Sequence, residues 1–405
     1  MSAVEAPGAP EYLREALLTL EPDLAQVRRH FESEFAMAAD DARTLIYSLV
    51  CETNAALFPP VTKLELIHTE GCNLGCSYCF EKDMLGYRRM SPEVATAAVN
   101  LLFDYAGDAR KVTITHFGGE PTLNFRAIRS VTEHAERRAS ELGKELEFDM
   151  TSNGVIITQE MAEYFAEHRI MVLLSVDGLA ATHDRYRRDK RGRPTFDRVM
   201  TGMRTLKATQ NWIGVKMTVM PENVPVLYDD VLGLYELGVN QFIIGYATGI
   251  SWSPEAMASY AQELGRVYGW YKAHPKDDLR IAEFDDLDEG AYFGCQAGRN
   301  SITVAVNGEI SPCAKILALD NRRLLAKLGD VQYGITHLRN RQELVGCASL
   351  IGAAERAGIS DEFRGGCFAS NFSDTRNLFE PSLQDHQFSL LIRGSCAGCS
   401  ASKPG

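Results

Sequence analysis

Apolar residues recur at helical intervals through the first part of the chain. Leu13, Leu17 and Leu20 share one face, as do Val27, Phe31 and Phe35, so residues 1–60 read as an N-terminal helical segment. Pro59-Pro60 closes it. No strand pattern of a small winged peptide-binding domain is visible there. From residue 61 to 275 the pattern alternates between short apolar runs and amphipathic stretches. The runs predict strands at 63–69, 111–116, 147–151, 170–176, 215–219 and 241–246. Between them the spacing predicts helices from Ser91 onward, then at 125–142, 159–168, 195–208, 224–237 and 254–273.

Six successive β/α units predict an α/β fold with a parallel sheet and helices outside it. Right-handed crossovers curl such a sheet into a full or partial (β/α)6 barrel, with reactive groups at the C-terminal ends of the strands. Beyond residue 276 the periodicity weakens and Gly and Cys accumulate. Residues 276–405 therefore read as a second domain, stapled by metal.

Composition narrows the partners. The chain has 405 residues, 45% of them hydrophobic, with a formal net charge of -12. That field repels nucleic acid and anionic lipid, so no nucleic acid or membrane partner is expected. No run of eighteen apolar residues exists. Met1 to Pro10 has neither a basic start nor an apolar core, so the expected location is the cytoplasm.

Ten cysteines carry the candidate chemistry. Intracellular cysteines in such number point to metal more than to disulfides. Cys72, Cys76 and Cys79 form C-x3-C-x2-C directly after the first expected strand. Three thiolates on one loop suit three irons of a [4Fe–4S] cluster and leave the fourth iron open. An open iron can chelate the amino and carboxylate groups of S-adenosylmethionine. One electron passed to the sulfonium then gives a 5′-deoxyadenosyl radical. A closed zinc site wants four ligands, and this loop supplies three with no His nearby.

The loop, with Phe117-Gly118-Gly119-Glu120-Pro121 at the end of the second strand, resembles the radical S-adenosylmethionine superfamily. Thr151-Ser152-Asn153-Gly154 and Ser175-Val176-Asp177-Gly178 extend the resemblance at the ends of the third and fourth strands. The resemblance implies that Gly118 and Gly119 let the backbone approach the cofactor. It implies that Glu120 accepts from the cofactor's amino group and that Asn153 sits in the family's TNG-type turn. Ser175 and Asp177 are implied near the ribose, Arg187 near the cofactor carboxylate, and Tyr78 near the adenine. Read without the resemblance, Asn153-Gly154 is an ordinary turn, Tyr78 packs under its loop, and Arg187 is one of a run of solvated charges between residues 185 and 191.

Cys295, Gly308 and Cys313 give C-x12-G-x4-C, with a hairpin expected across 301–306 and the Asn307-Gly308 turn. This is similar to the start of a SPASM domain, which carries auxiliary iron–sulfur clusters. Arg364-Gly365-Gly366-Cys367 resembles its end. The dense cysteine run between is not intact, since Phe363 stands where a cysteine would. The preferred partition puts Cys295, Cys313 and Cys367 on one cluster and Cys347, Cys396 and Cys399 on another. One four-cysteine cluster with two spare thiols, or one cluster with Cys396 and Cys399 as a redox or zinc pair, remain alternatives.

The resemblance implies a maturase that crosslinks a ribosomally made precursor peptide through a thioether or carbon–carbon bond. It implies a flavodoxin- or ferredoxin-type reductant, and leader recognition by the N-terminal segment or by a separate leader-binding protein. A sulfatase-maturing enzyme is the alternative, although that group has an acidic residue after the second SPASM cysteine and Ala314 follows Cys313 here. A non-catalytic iron–sulfur or zinc protein is the third reading, and it has no use for Glu120, Ser175 and Asp177.

Overall fold

The computed structural model describes residues 8–276, 278–285, 294–319 and 327–395. Three helices come first: α1 (Ala9–Leu17), α2 (Leu24–Glu34) and α3 (Ala39–Leu57). Strands and helices then alternate as β1 (Lys63–Ile67), α4 (Pro92–Tyr105), β2 (Lys111–Phe117), α5 (Phe125–Leu142), β3 (Glu145–Ser152), α6 (Gln159–Glu167) and β4 (Ile170–Ser175). There follow α7 (Ala180–Tyr186), α8 (Phe196–Lys207), β5 (Gly214–Val219), α9 (Leu227–Glu236), β6 (Gln241–Tyr246), α10 (Pro254–Ala273), β7 (Arg280–Ile281) and α11 (Ala282–Asp285). The last part holds β8 (Ser301–Val304), β9 (Glu309–Ser311), α12 (Ala314–Leu317), β10 (Gly329–Asp330), β11 (Gly334–Ile335), α13 (Leu338–Gly346), α14 (Ala348–Arg356), α15 (Phe368–Thr375) and α16 (Leu383–Ser395).

Local chemistry fixes several of these ends. Ser91 accepts from the Val94 amide at 3.3 Å, and Pro92 occupies the first turn where its missing N–H costs nothing. Ser253 and Pro254 start α10 in the same way. The six expected strands are all present, and the α/β class with parallel strands in sequence order is as the six repeats require. Residues 8–60 hold the helices α1, α2 and α3.

The described chain divides into two compact units. The first takes residues up to Gly71, Asp83–Asp149 and Cys295–Ala348. Its strands run β11-β10-β9-β8-β1-β2, with the start of β3 beside β2. Strand β1 is parallel to both β2 and β8, and the β8–β9, β9–β10 and β10–β11 pairs are antiparallel. Leu13, Phe31, Ile46, Val50 and Leu338 pack the three N-terminal helices around one buried cluster. Beside it, the buried Arg341 donates to Asn54 Oδ1 at 2.7 Å and to the carbonyls of Pro59, Gly298 and Arg299.

The second unit takes Cys72–Lys82, Met150–Gly294 and the chain from Ser349. The end of β3 and strands β4 to β7 follow one another in order, and β4–β5, β5–β6 and β6–β7 are parallel. An aromatic core closes it: Tyr246 stacks on Phe388 at 3.9 Å, and Tyr260 Oη donates to the Ile244 carbonyl at 2.9 Å. Among the described residues no helix is long and apolar enough to cross a membrane.

Candidate functional site

In the first unit, the chain leaving β1 meets the chain leaving β2. The Gly119 amide donates to the Thr69 carbonyl at 3.0 Å, and the Glu120 amide donates to the Gly71 carbonyl at 2.9 Å. Gly71 is the residue before Cys72. Gly118 has φ +121°, and a β-carbon there would lie 2.6 Å from the Thr69 carbonyl oxygen. One at Gly119 would lie 2.5 Å from that of Gly71. Only glycine permits this approach. Glu120 is buried, and its Oε1 accepts from the Thr122 amide at 3.1 Å and from the Thr122 hydroxyl. Glu70, also buried, is gripped by Arg88 through Nη2 at 2.5 Å and Nε at 3.0 Å.

In the second unit, the loop carrying Cys72, Cys76 and Cys79 runs along residues 186–189. The Gly75 amide donates to the Arg188 carbonyl at 2.9 Å, and Leu74 bridges Asp189. All three thiols are half-buried and free of disulfides. Cys72 Sγ accepts from the Leu74 amide at 3.4 Å and is approached by Asn153 Nδ2 at 3.9 Å. Asn153 also donates to Asn73 Oδ1 at 2.7 Å, and so ties the third-strand turn to the cysteine loop.

Asp177 gathers the rest of the site. It lies just beyond β4, two residues after Ser175. Its carboxylate accepts from Arg187 Nε at 2.9 Å, Arg187 Nη2 at 3.0 Å, the Thr218 amide at 2.9 Å and the Tyr78 hydroxyl. The Arg187 guanidinium stands 5.3 Å from the Tyr78 ring centroid. Burial pushes the Cys76 thiol up, and the Arg187 charge beside it pulls the other way. Burial likewise pushes Cys79 up to about 11. Arg187 is only 8% exposed, so its reading as a solvated charge fails.

Among the described residues, no group of three or more His, Cys, Asp or Glu side chains is gathered as a single metal ion requires. A single ion holds its thiolates close together, whereas a cluster spreads them over several irons.

The C-terminal cysteines fall in different places. Cys295 and Cys313 belong to the first unit and Cys367 to the second. Cys295 Sγ accepts from the Ala297 amide at 3.5 Å, and Cys313 Sγ from the Ile316 amide at 3.4 Å. Cys347 is buried and does the opposite: its thiol donates to the Leu344 carbonyl at 3.4 Å. Cys396 and Cys399 lie outside the described residues.

Two carboxylates escaped the sequence reading. Glu70 read as part of a loop, although it directly precedes Gly71-Cys72. Glu65 read as an ordinary strand position, although a carboxylate between Leu64 and Leu66 of a parallel strand is itself a signal.

The Radical SAM superfamily model matches residues 66–227. A serine-type anaerobic sulfatase-maturating enzyme of Bacteroides thetaiotaomicron is 28% identical over 141 residues, 34% of this chain and 34% of that one. The sulfatase-maturating relatives are matched over 34% to 42% of their own length, and an uncharacterized protein of Methanocaldococcus jannaschii over 57%. Native anSMEcpe with bound AdoMet and Cp18Cys peptide superposes with a TM-score of 0.68 at 18% identity, over 85% of this chain and 100% of that one. Streptococcus suis SuiB bound to precursor peptide SuiA gives 0.57 at 13% identity, over 91% and 87%. At these identities the structural likeness is one of fold.

Proposed function

Residues 66–227 belong to the radical SAM superfamily, and from that premise we propose that the chain is a radical S-adenosylmethionine maturase. It crosslinks a ribosomally made precursor peptide through a thioether or carbon–carbon bond. The observation that carries this reading is the cysteine loop bound to Asn153 and to the Tyr78–Asp177–Arg187 cluster. A protein that only stored or passed electrons has no need of that set.

The donor chemistry fits the cofactors. Cys72, Cys76 and Cys79 are thiols outside any disulfide on one loop, and the bare backbone of Gly118 and Gly119 lets the end of the second strand lie against Thr69 and Gly71, the latter directly before Cys72. These cysteines hold a [4Fe–4S] cluster, which when bound supplies one electron to the sulfonium of S-adenosylmethionine and so a 5′-deoxyadenosyl radical. Glu120 takes the cofactor's amino group, Ser175 and Asp177 its ribose, Arg187 its carboxylate and Tyr78 its adenine. Asp177 holds Arg187 and Tyr78 in fixed rotamers, so ordering them costs nothing further when the cofactor arrives.

One or two auxiliary clusters on a SPASM-like region complete the proposal. The accepting sulfurs of Cys295 and Cys313 on either side of the β8–β9 hairpin support the first. Peptides bound by two proteins of like fold support a peptide substrate. The reductant is of flavodoxin or ferredoxin type, and a separate leader-binding protein is a further possible partner.

The test is incubation of anaerobically reconstituted protein with dithionite, S-adenosylmethionine and the precursor peptide encoded beside it. The reading expects 5′-deoxyadenosine and a peptide that has lost mass through crosslinking. Absence of 5′-deoxyadenosine overturns it. Sulfatase maturation is the second reading, favoured by the 28% identity to a sulfatase-maturating enzyme. A sulfatase peptide gaining formylglycine would select it, with Ala314 its weak point because no carboxylate follows Cys313.

A further inference from the structure

Four polar residues stand in register across four neighbouring strands of the first unit. Glu65 on β1 pairs with Thr115 on β2 and with Thr303 on β8, and Thr303 pairs with Ser311 on β9. Residues paired in register share one face of a sheet. Leu64 and Leu66 take the other face of β1, fully buried. The row itself lies inside: Thr115 is 6% exposed, Thr303 1% and Ser311 0%.

The row leads to one cysteine. Glu65 Oε1 accepts from the Thr303 hydroxyl at 2.7 Å and from the Ala314 amide at 3.2 Å. Ser311 Oγ donates to the Cys313 carbonyl at 3.3 Å. The Cys313 carbonyl and the Ala314 N–H are opposite edges of one peptide plane, which Ser311 and Glu65 hold between them. The sulfur accepts from the Ile316 amide, an arrangement suited to a thiolate.

A neutral amide oxygen would satisfy Thr303 and Ala314 as well as a carboxylate does. What the carboxylate adds is a negative charge, in a partly buried place where charges are weakly screened. We propose that Glu65 is a positioning and charge-setting residue for Cys313, fixing the peptide after it and biasing the iron–sulfur cluster it helps to hold toward the oxidised state. This rests on the reading that Cys313 ligates an auxiliary cluster. A nearby negative charge disfavours the more negative, reduced form of a cluster, so it lowers the reduction potential.

The test uses the full chain with Cys72, Cys76 and Cys79 all changed to Ala, reconstituted anaerobically with iron and sulfide. Only auxiliary iron then remains to be titrated by electron paramagnetic resonance at controlled potential. Glu65→Gln, close to the native shape, is expected to keep its iron and to move the potential in the positive direction. Glu65→Asp, which keeps the charge, is expected to stay near the unchanged potential. Loss of the iron in Glu65→Gln with retention in Glu65→Asp also supports the proposal. The same potential in Glu65→Gln as in its parent, or an equal shift in both variants, overturns it while leaving the auxiliary cluster standing. If the parent itself binds no iron, the auxiliary-cluster reading fails and takes the proposal with it.

Discussion

Arg187 meets Asp177 edge to edge, with Nε and Nη2 on the two carboxylate oxygens at 2.9 and 3.0 Å. The pair is buried, and breaking a buried ion pair leaves an uncompensated charge. Arg187→Ala is expected to lower the unfolding free energy by about 3–5 kcal/mol. Arg187→Lys keeps the charge but loses the two-point contact, and should fall between the two. Urea denaturation of the three proteins checks this. An Arg187→Ala loss below about 1 kcal/mol, the range of exposed pairs, would contradict it.

The close approach of the two loops in the first unit predicts a second effect. A β-carbon at Gly119 would press on the Gly71 carbonyl, and Cys72 is the next residue along. Gly119→Ala must push that strand end outward, with the start of the cysteine loop. Iron bound per chain after reconstitution should drop well below the unchanged protein's, while far-ultraviolet circular dichroism is retained. Gly269→Ala, where a β-carbon meets nothing within 4 Å, is the control and keeps its iron. Equal iron in both variants refutes the argument.

The sequence exposed whatever its periodicity controlled. Helix α5 and strand β6 run from end to end where the apolar pattern places them, because each has one buried face and a clean boundary. Helices α13 to α16 were not legible. In α13 the buried positions include Asn340 and Arg341, which a hydrophobicity pattern counts as surface. Motifs exposed the cysteine loop, Glu120, Asp177 and Arg187 as individuals, but not the partnership between the last two. Arg187 sits in a basic run that looks solvated, and only the packing shows which of those charges turns inward. Glu65 was hidden for a related reason, since its meaning depends on β8 and β9, which lie far along the chain.

A buried histidine pair is expected to steepen the loss of stability in acid. His68 Nε2 lies 2.8 Å from His116 Nδ1, and both rings are fully buried. Burial lowers His68 to about 3, and burial together with His68 lowers His116 well below its ordinary value. In the unfolded chain both titrate near ~6.5. Between these values the unfolded chain binds more protons than the folded one. The stability from the neutral pair is therefore complete above ~6.5 and declines as pH falls toward 3, by up to about 1.4 kcal/mol per pH unit for each histidine. Urea midpoints measured from pH 7 to pH 4 should fall less steeply in a His68→Gln, His116→Gln double variant. Parallel profiles would show that the pair does not govern the decline.

The polarity of the sulfur contacts separates the C-terminal cysteines. A metal-bound thiolate carries no proton, so it can accept hydrogen bonds and cannot donate them. Cys295 and Cys313 accept from backbone amides at 3.5 and 3.4 Å. Cys347 is 1% exposed and gives its proton to the Leu344 carbonyl, and burial pushes its thiol up. It also ends α13 with φ +53°. The grouping of Cys347 with Cys396 and Cys399, the latter two outside the described residues, therefore meets a direct trial. Cys295→Ala and Cys313→Ala should each lower iron and sulfide per chain, whereas Cys347→Ala should match the unchanged protein in both and lose only stability. A drop in iron for Cys347→Ala equal to that for Cys313→Ala would put Cys347 back among the ligands, and its thiol would then have to turn away from Leu344 as the metal binds.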